Sequence, residues 1–318
     1  MKKYISDFKK GDVVISYFYL ISKKLLQKKS GENYIRLLLK DRTGTIEGFI
    51  WEEVDAIYRK IEESSFVNVS GAIGEFNQKL KINISSIYPV SISEVDIGDF
   101  VAVSPISPEE LMERIKEYIE RIEDSHYKEL VKRFFYSEKY ENSIMKTPGA
   151  VEVHQAYIGG FLHHTYNMLK LSESIIETYG KVVNSSLLIA GIILHDIGKI
   201  KEYKIEPLIR RTTEGHLLGH IAMGYNMVDQ EIKKTKEFPE QKRWKILHVI
   251  LSHHGTSEFG SPVVPMIPEA YFIHLIDLMD AKAQQFIKEL EENRNKDWSN
   301  YNKYLLTKVY LGSREENI

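Results

Sequence analysis

The chain contains no cysteine, which excludes a disulfide framework, thiolate zinc sites and cysteine nucleophiles and fits a reducing compartment. Any metal must therefore be held by histidine and carboxylate side chains. Apolar runs long enough to cross a bilayer are missing too: Leu187–Leu194, the greasiest stretch, has eight residues, against the roughly 20 that a spanning helix needs. No apolar segment follows the opening MKKYISDFKKGD, so neither secretion nor membrane insertion is expected and a cytoplasmic location is. An excess of one charge is absent as well, with 43 Lys and Arg against 45 Asp and Glu. That excludes a globally basic nucleic-acid binder and leaves any polyanion to a local patch. No internal repeat or low-complexity tract interrupts the 318 residues, a length for two domains or one large one.

Histidine is missing from the first 125 residues, whereas ten of the eleven fall between His154 and His274. The histidine-free part carries strand signals instead. The segments DVVISYFYLI, NYIRLLLKD, TIEGFIW, SFVNVSGAI and KLKINISSI are short, β-branched and aromatic, and are punctuated by Gly, Asn and Asp. Five such strands predict a small barrel over residues 1–92. After a linker, 93–106, helical periodicity begins at Ser107-Pro108-Glu109-Glu110, which reads as a capping box with Pro in the first helical position. Residues 107–318 are expected to be all-α.

Residues 1–42 hold eleven Lys or Arg against four Asp or Glu, an asymmetry the global charge hides. Strand alternation puts Tyr34, Arg36 and Lys40 opposite Ile35, Leu37 and Leu39, and Lys79, Lys81 and Asn83 opposite Leu80, Ile82 and Ile84. Phe49 and Trp51 alternate in the same way with Ile46 and Ile50. They are either base-stacking platforms or a packing surface for the helical domain.

The helical part brings its histidines and acids in five groups: FLHHTYNM (His163, His164), ILHDIGK (His195, Asp196), GHLLGHI (His216, His220), ILSHHG (His253, His254) and HLIDLMDAK (His274, Asp277, Asp280). Each lies in or at the end of an apolar helical segment. A single histidine there is usually a hydrogen-bonded core residue, but five such segments in one domain point to convergence on a metal site in a bundle core. A polar pair such as His195-Asp196, closing a buried helix, must be hydrogen-bonded, paired or metal-bound.

The order H…HD…H…H…D, with HDIGK at its centre, resembles the HD-domain metal-dependent phosphohydrolase superfamily over roughly residues 140–290. GHLLGHI and HHGTSEFGSPVVPMIPEA, following an oligonucleotide-binding-like barrel, resemble the YhaM-type 3′-to-5′ exoribonucleases of Gram-positive bacteria over nearly the whole chain. The resemblance implies an N-terminal five-stranded OB-like barrel joined to an all-α HD domain, acting on the 3′ ends of single-stranded RNA, with single-stranded DNA a second candidate. It also implies two divalent ions, Mn²⁺ first among them. Carried over residue by residue, His164, His195, Asp196, His220 and Asp277 would be ligands, with His253 or His254 or both completing the set. His164 is preferred to His163 and Asp277 to Asp280; His216, one helical turn from His220 on the same face, stays open as a further ligand, and Asp280 stays open as a support or a solvated acid. Asp196 would bridge the ions, so that Asp196→Ala should empty the site while leaving the fold intact.

Lys199 would meet the scissile phosphate, or else serve as a cation at a helix C-terminus. Arg210 and Arg211 are either phosphate contacts or a solvated loop pair. Tyr34, Arg36, Lys40, Phe49, Trp51, Lys79 and Lys81 would grip nucleic acid. The cyclic-dinucleotide branch of the superfamily has Gly-Tyr-Pro after its His pair, where this chain reads GTSEFGSP, and is set aside. Two alternatives stay open: an HD phosphohydrolase acting on a small nucleotide, with the barrel serving homo-oligomer assembly, and a non-catalytic nucleic-acid-binding protein.

Overall fold

The computed structural model describes residues 3–77, 79–101, 103–150, 155–205, 208–292 and 296–312; His154 lies outside them. The chain divides into two compact units, Met1–Ala102 and Val103–Ile318, each with its own hydrophobic core.

The first unit is a closed barrel of β1 (Val13–Gln27), β2 (Asn33–Asp41), β3 (Gly44–Ile50), β4 (Ser65–Phe76) and β5 (Lys79–Val90), in the order β1-β2-β3-β5-β4. Closure depends on β1. Its first half pairs with β4 and its second half with β2, and the register shifts between Leu20 and Ser22, so a bulge lets one strand turn a corner and serve both neighbours. The parallel pairing of β3 with β5 completes the ring. Inward residues Phe18, Leu20, Ile35, Leu37, Leu39, Val67, Val69 and Ile82 are fully buried, as period-2 alternation requires. The buried Asp41 carboxylate accepts from the backbone N–H groups of Ile5, Thr43 and Gly44, which fixes the β2–β3 turn. A short helix, α1 (Val54–Lys60), leads from β3 to β4.

The stretch 93–106, expected as a linker, is divided. Phe100 is fully buried, with its ring 4.7 Å from that of Phe66 on the barrel, whereas residues from Val103 onward belong to the second unit.

That unit contains α2 (Pro108–Glu120), α3 (Ser125–Phe135), α4 (Glu138–Lys146), α5 (Gly160–Tyr179), α6 (Ser185–Leu194), α7 (Lys199–Glu202), α8 (Thr213–Lys233), α9 (Glu240–Ser252) and α10 (Pro268–Glu292). One two-stranded ribbon, β6 (Tyr203–Ile205) with β7 (Ile209–Arg211), interrupts the helices. Only half of the expected capping box forms at α2: Ser107 accepts from the Glu110 N–H at 3.1 Å, but the Glu110 carboxylate pairs with Arg114 at 2.5 Å. Helix α6 is the central element. Asn184 caps it by accepting from the Leu187 N–H, every residue from Ser186 to Leu194 is buried, and α3, α5, α9 and α10 surround it. A helix this apolar has no wet face, so the residues that follow its last turn are delivered into the interior.

Candidate functional site

His195 and Asp196 follow the last turn of α6, both buried. His164 comes from near the start of α5, Asp277 and Asp280 from α10, His253 and His254 from the end of α9, and His220 from α8. Two glycines let these segments meet. A Cβ on Gly198 would lie 2.0 Å from the His220 carbonyl oxygen and 2.6 Å from the Gly224 nitrogen, so the α6–α7 junction can touch α8 only without a side chain there. Gly219 has φ 70° and ψ 158°, a conformation that only glycine adopts readily. It breaks α8 just before His220. His216 and His220 therefore do not share one helical face, and His216 is exposed.

Each histidine of the cluster is held through Nδ1. His195 donates to the Ile192 carbonyl at 2.7 Å, His253 to the Ile250 carbonyl at 2.8 Å and His254 to the Phe259 carbonyl at 2.7 Å. His220 donates to Glu202 at 3.0 Å and His164 to Asp280 at 2.6 Å. A proton fixed on Nδ1 leaves the Nε2 lone pair as the inward atom, the arrangement by which outer partners orient metal-ligating imidazoles.

The inward atoms face one another. His220, His253 and His254 offer ligand atoms within 4.8 Å of one another, and so do His164, His195 and Asp196. Asp196 divides its oxygens between the two sets, with Oδ2 3.2 Å from His195 Nε2 and Oδ1 3.3 Å from His220 Nε2 and 3.6 Å from His253 Nε2. Asp277 Oδ1 is 3.1 Å from His164 Nε2. The Nε2 atoms of His195, His220 and His253 and Oδ1 of Asp196 are buried with no hydrogen-bond partner. An unsatisfied buried polar atom costs about 1–3 kcal/mol; four around one centre are relieved together by a cation that accepts their lone pairs. The donor set of imidazoles and carboxylates suits Mn, Fe, Co, Ni or Zn. A divalent metal fits these residues.

The electrostatics agree. Burial would raise the Asp196 carboxyl, but Lys199, with Nζ 2.5 Å from Oδ2, and His195 hold it well below the usual carboxylate range. Burial opposes protonation of His164, yet Asp277 and Asp280 on its two sides raise its pKa to about 10. Positive charge is what this position demands. Burial, and next the neighbouring His253, lower His254 to about 4, so it stays a neutral donor of lone pairs. Lys199 lies in the single turn of α7, and its Nζ is directed at Asp196 Oδ2. Its partner is Asp196.

His163 is turned away, 2.6 Å from the Tyr157 hydroxyl. Asp280 stands behind His164, also accepting from Asn167 at 2.9 Å and Gln155 at 3.2 Å. Glu202, buried behind His220, was not singled out by the sequence, because KIKEY reads like any surface segment until β6 and β7 fold over it. The centre opens into a cleft of about 300 Å³ lined by Asp196, Lys199, Tyr203, Arg211, His274 and Asp277 among others.

On the barrel, Tyr34, Phe49 and Trp51 form a ladder with ring centroids 5.0–6.3 Å apart and planes within 27°. Lys81 lies 5.2 Å from the Phe49 ring and Lys28 5.1 Å from that of Trp51. Arg36 pairs with Phe49 across β2–β3 and is 3.7 Å from Glu47. The rings thus pack on one another and on cations of their own unit. Lys79 is at the start of β5, exposed and opposite Phe76, whereas Lys40, opposite Thr45, is half-buried and its pKa is lowered by burial. Five of the seven expected residues share one patch and two flank it.

Residues 161–282 match the HD domain family and residues 20–90 the OB-fold nucleic acid binding domain family. The chain is 32% identical over 292 residues to the 3′-5′ exoribonuclease YhaM of Shouchella clausii, covering 92% of this chain and 90% of that protein. It belongs to the YhaM exoribonuclease family. The YhaM of Bacillus subtilis is 32% identical over 284 residues, 88% of each chain, and that of Oceanobacillus iheyensis 35% over 266 residues, 83% of this chain and 82% of that one. The YhaM family's OB-type barrel and helical HD domain are thus both present, and the His and Asp cluster lies inside the HD match. Among the described residues, no helix is long and apolar enough to cross a membrane.

Proposed function

We propose that the chain is a metal-dependent exoribonuclease that removes mononucleotides from the 3′ end of single-stranded RNA, with single-stranded DNA as a second substrate, in the cytoplasm. His164, His195, Asp196 and Asp277 would hold one divalent ion, and His220, His253 and His254 a second, with Asp196 shared between them and Mn²⁺ the first choice. The observation that carries this reading is the division of Asp196 between two sets of inward lone pairs. Divalent ions bound there supply Lewis acidity toward phosphoryl oxygens and lower the pKa of water.

The chain's own residues do the rest. Asp280, Glu202 and three backbone carbonyls keep the imidazoles in one tautomer and one orientation. Lys199 keeps Asp196 ionised and places an ammonium at the wall of the cleft, where charge builds on the phosphoryl group. The cleft is at the small end of ligand sites and takes a chain end, not a duplex. Linear end-labelled RNA should be shortened from its 3′ end to mononucleotides, while circular RNA of the same sequence should resist. Circles cut as fast as linear RNA would make the enzyme an endonuclease.

The barrel's aromatic ladder and cations suit the body of the RNA, since bases of any identity stack on exposed rings. Exchanging Arg36, Lys79 and Lys81 together for Ala should weaken binding of long RNA and reduce the logarithmic salt slope by up to about 2, at roughly 0.7 per phosphate contact on a single strand. Arg36 is already paired with Glu47, so its share is the smallest. Turnover of a nitrophenyl phosphodiester should not change. An unaltered salt slope would assign the barrel another role.

A further inference from the structure

Two cations line the cleft among the described residues, Lys199 and Arg211. They differ in what occupies them. Lys199 is buried and committed to Asp196 at 2.5 Å. Arg211 keeps nearly half of its side chain exposed, 46%, with Nε 3.3 Å from Glu202 Oε1 and a side-chain hydrogen bond to Tyr203. The other oxygen of that carboxylate accepts from His220 Nδ1 at 3.0 Å. Glu202 is thus a buried clamp with an imidazole of the metal centre on one arm and a guanidinium of the cleft on the other.

The backbone fixes the same relation. Arg211 pairs with Tyr203 across the ribbon, and the Thr212 N–H donates to the Glu202 carbonyl at 2.8 Å. A guanidinium carries five N–H donors, so contacts to Glu202 and Tyr203 leave donors on its exposed side for the oxygens of a phosphate.

We propose that Arg211 binds the phosphate on the 5′ side of the scissile one when an RNA 3′ end occupies the cleft. This rests on the exoribonuclease reading above. Arg211 stands one carboxylate away from His220, so the phosphate it holds is a neighbour of the scissile phosphate and not the scissile phosphate itself. A chain end with a free 3′-hydroxyl has only one such neighbour, on the 5′ side. The dinucleotide ApA lacks that phosphate, pApA has it without a third nucleoside, and ApApA has both.

The test is steady-state hydrolysis of these three oligomers by the full-length metal-loaded enzyme and by Arg211→Ala, with metal content measured in parallel. A charge-assisted contact on a half-exposed guanidinium is worth about a tenfold change in KM. The wild type should therefore show KM for pApA and ApApA about tenfold below that for ApA. Arg211→Ala should erase this gap, with kcat on ApA and bound metal unchanged. A gap that persists in Arg211→Ala, or no gap in the wild type, overturns the proposal. So does a parallel loss of ApA turnover and metal, which would reduce Arg211 to a support for Glu202 and His220. Failure of the exoribonuclease reading looks different, since the wild type would then release no nucleoside monophosphate from any of the three.

Discussion

Replacing Asp196 by Ala should lower RNA hydrolysis by about three orders of magnitude or more, and, on the proposed sharing of its carboxylate between two ions, both should leave together. The sequence alone suggests that such a protein keeps its fold. The structure alters that expectation. Lys199 is buried against Asp196, and an ammonium stripped of its partner in the interior costs about 3–5 kcal/mol. Asp196→Ala should therefore melt well below the wild type. Adding Lys199→Met should recover the melting temperature while leaving the site empty and the enzyme inactive. Elemental analysis and calorimetry of the single and double variants separate the two effects. A folded double variant that retains two ions and normal turnover would rule out a shared carboxylate.

Stripping the metal with a chelator should abolish hydrolysis entirely, and Mn²⁺ should restore it. It should also loosen the helical unit. A ligand at a thousandfold excess over its Kd stabilises the native state by about 4 kcal/mol. For a unit of this size each kcal/mol is worth about 2–4 °C, so its transition should fall by roughly ten degrees. The transition of the barrel, which has no such cluster among its described residues, should stay in place. Equal melting of the metal-loaded and chelated proteins, with equal activity, would leave the four unpartnered atoms without an explanation.

The legibility of the sequence differed from feature to feature for physical reasons. The strands could be read because a barrel with one wet face enforces strict alternation, and NYIRLLLKD matches β2 residue for residue. Helix α6 could be read because eight apolar residues in a row have no other home. The ribbon β6–β7 could not, since three-residue strands carry no period. The kink in α8 was hidden for a related reason: GHLLGH satisfies helical spacing, and only the backbone angles of Gly219 reveal that the helix is broken. Doublets such as His163-His164 left spacing ambiguous. Packing separates them, turning one ring toward Tyr157 and the other between Asp277 and Asp280. Asp280 could be read only as a support or a solvated acid, and Glu202 was not visible as a support, because each role exists only where separate elements meet.

The contact of Gly198 with the backbone of His220 and Gly224 means that the spacing between the two halves of the centre is not recorded in the ligands at all. It is recorded in a residue with no side chain. A related chain could carry every histidine and aspartate of the cluster and still be inert, if a methyl group at position 198 held α8 away and pulled His220 out of reach of Asp196. Searches for active members by their ligand residues alone would count such a chain as competent. The glycine belongs in the signature as a gauge of distance.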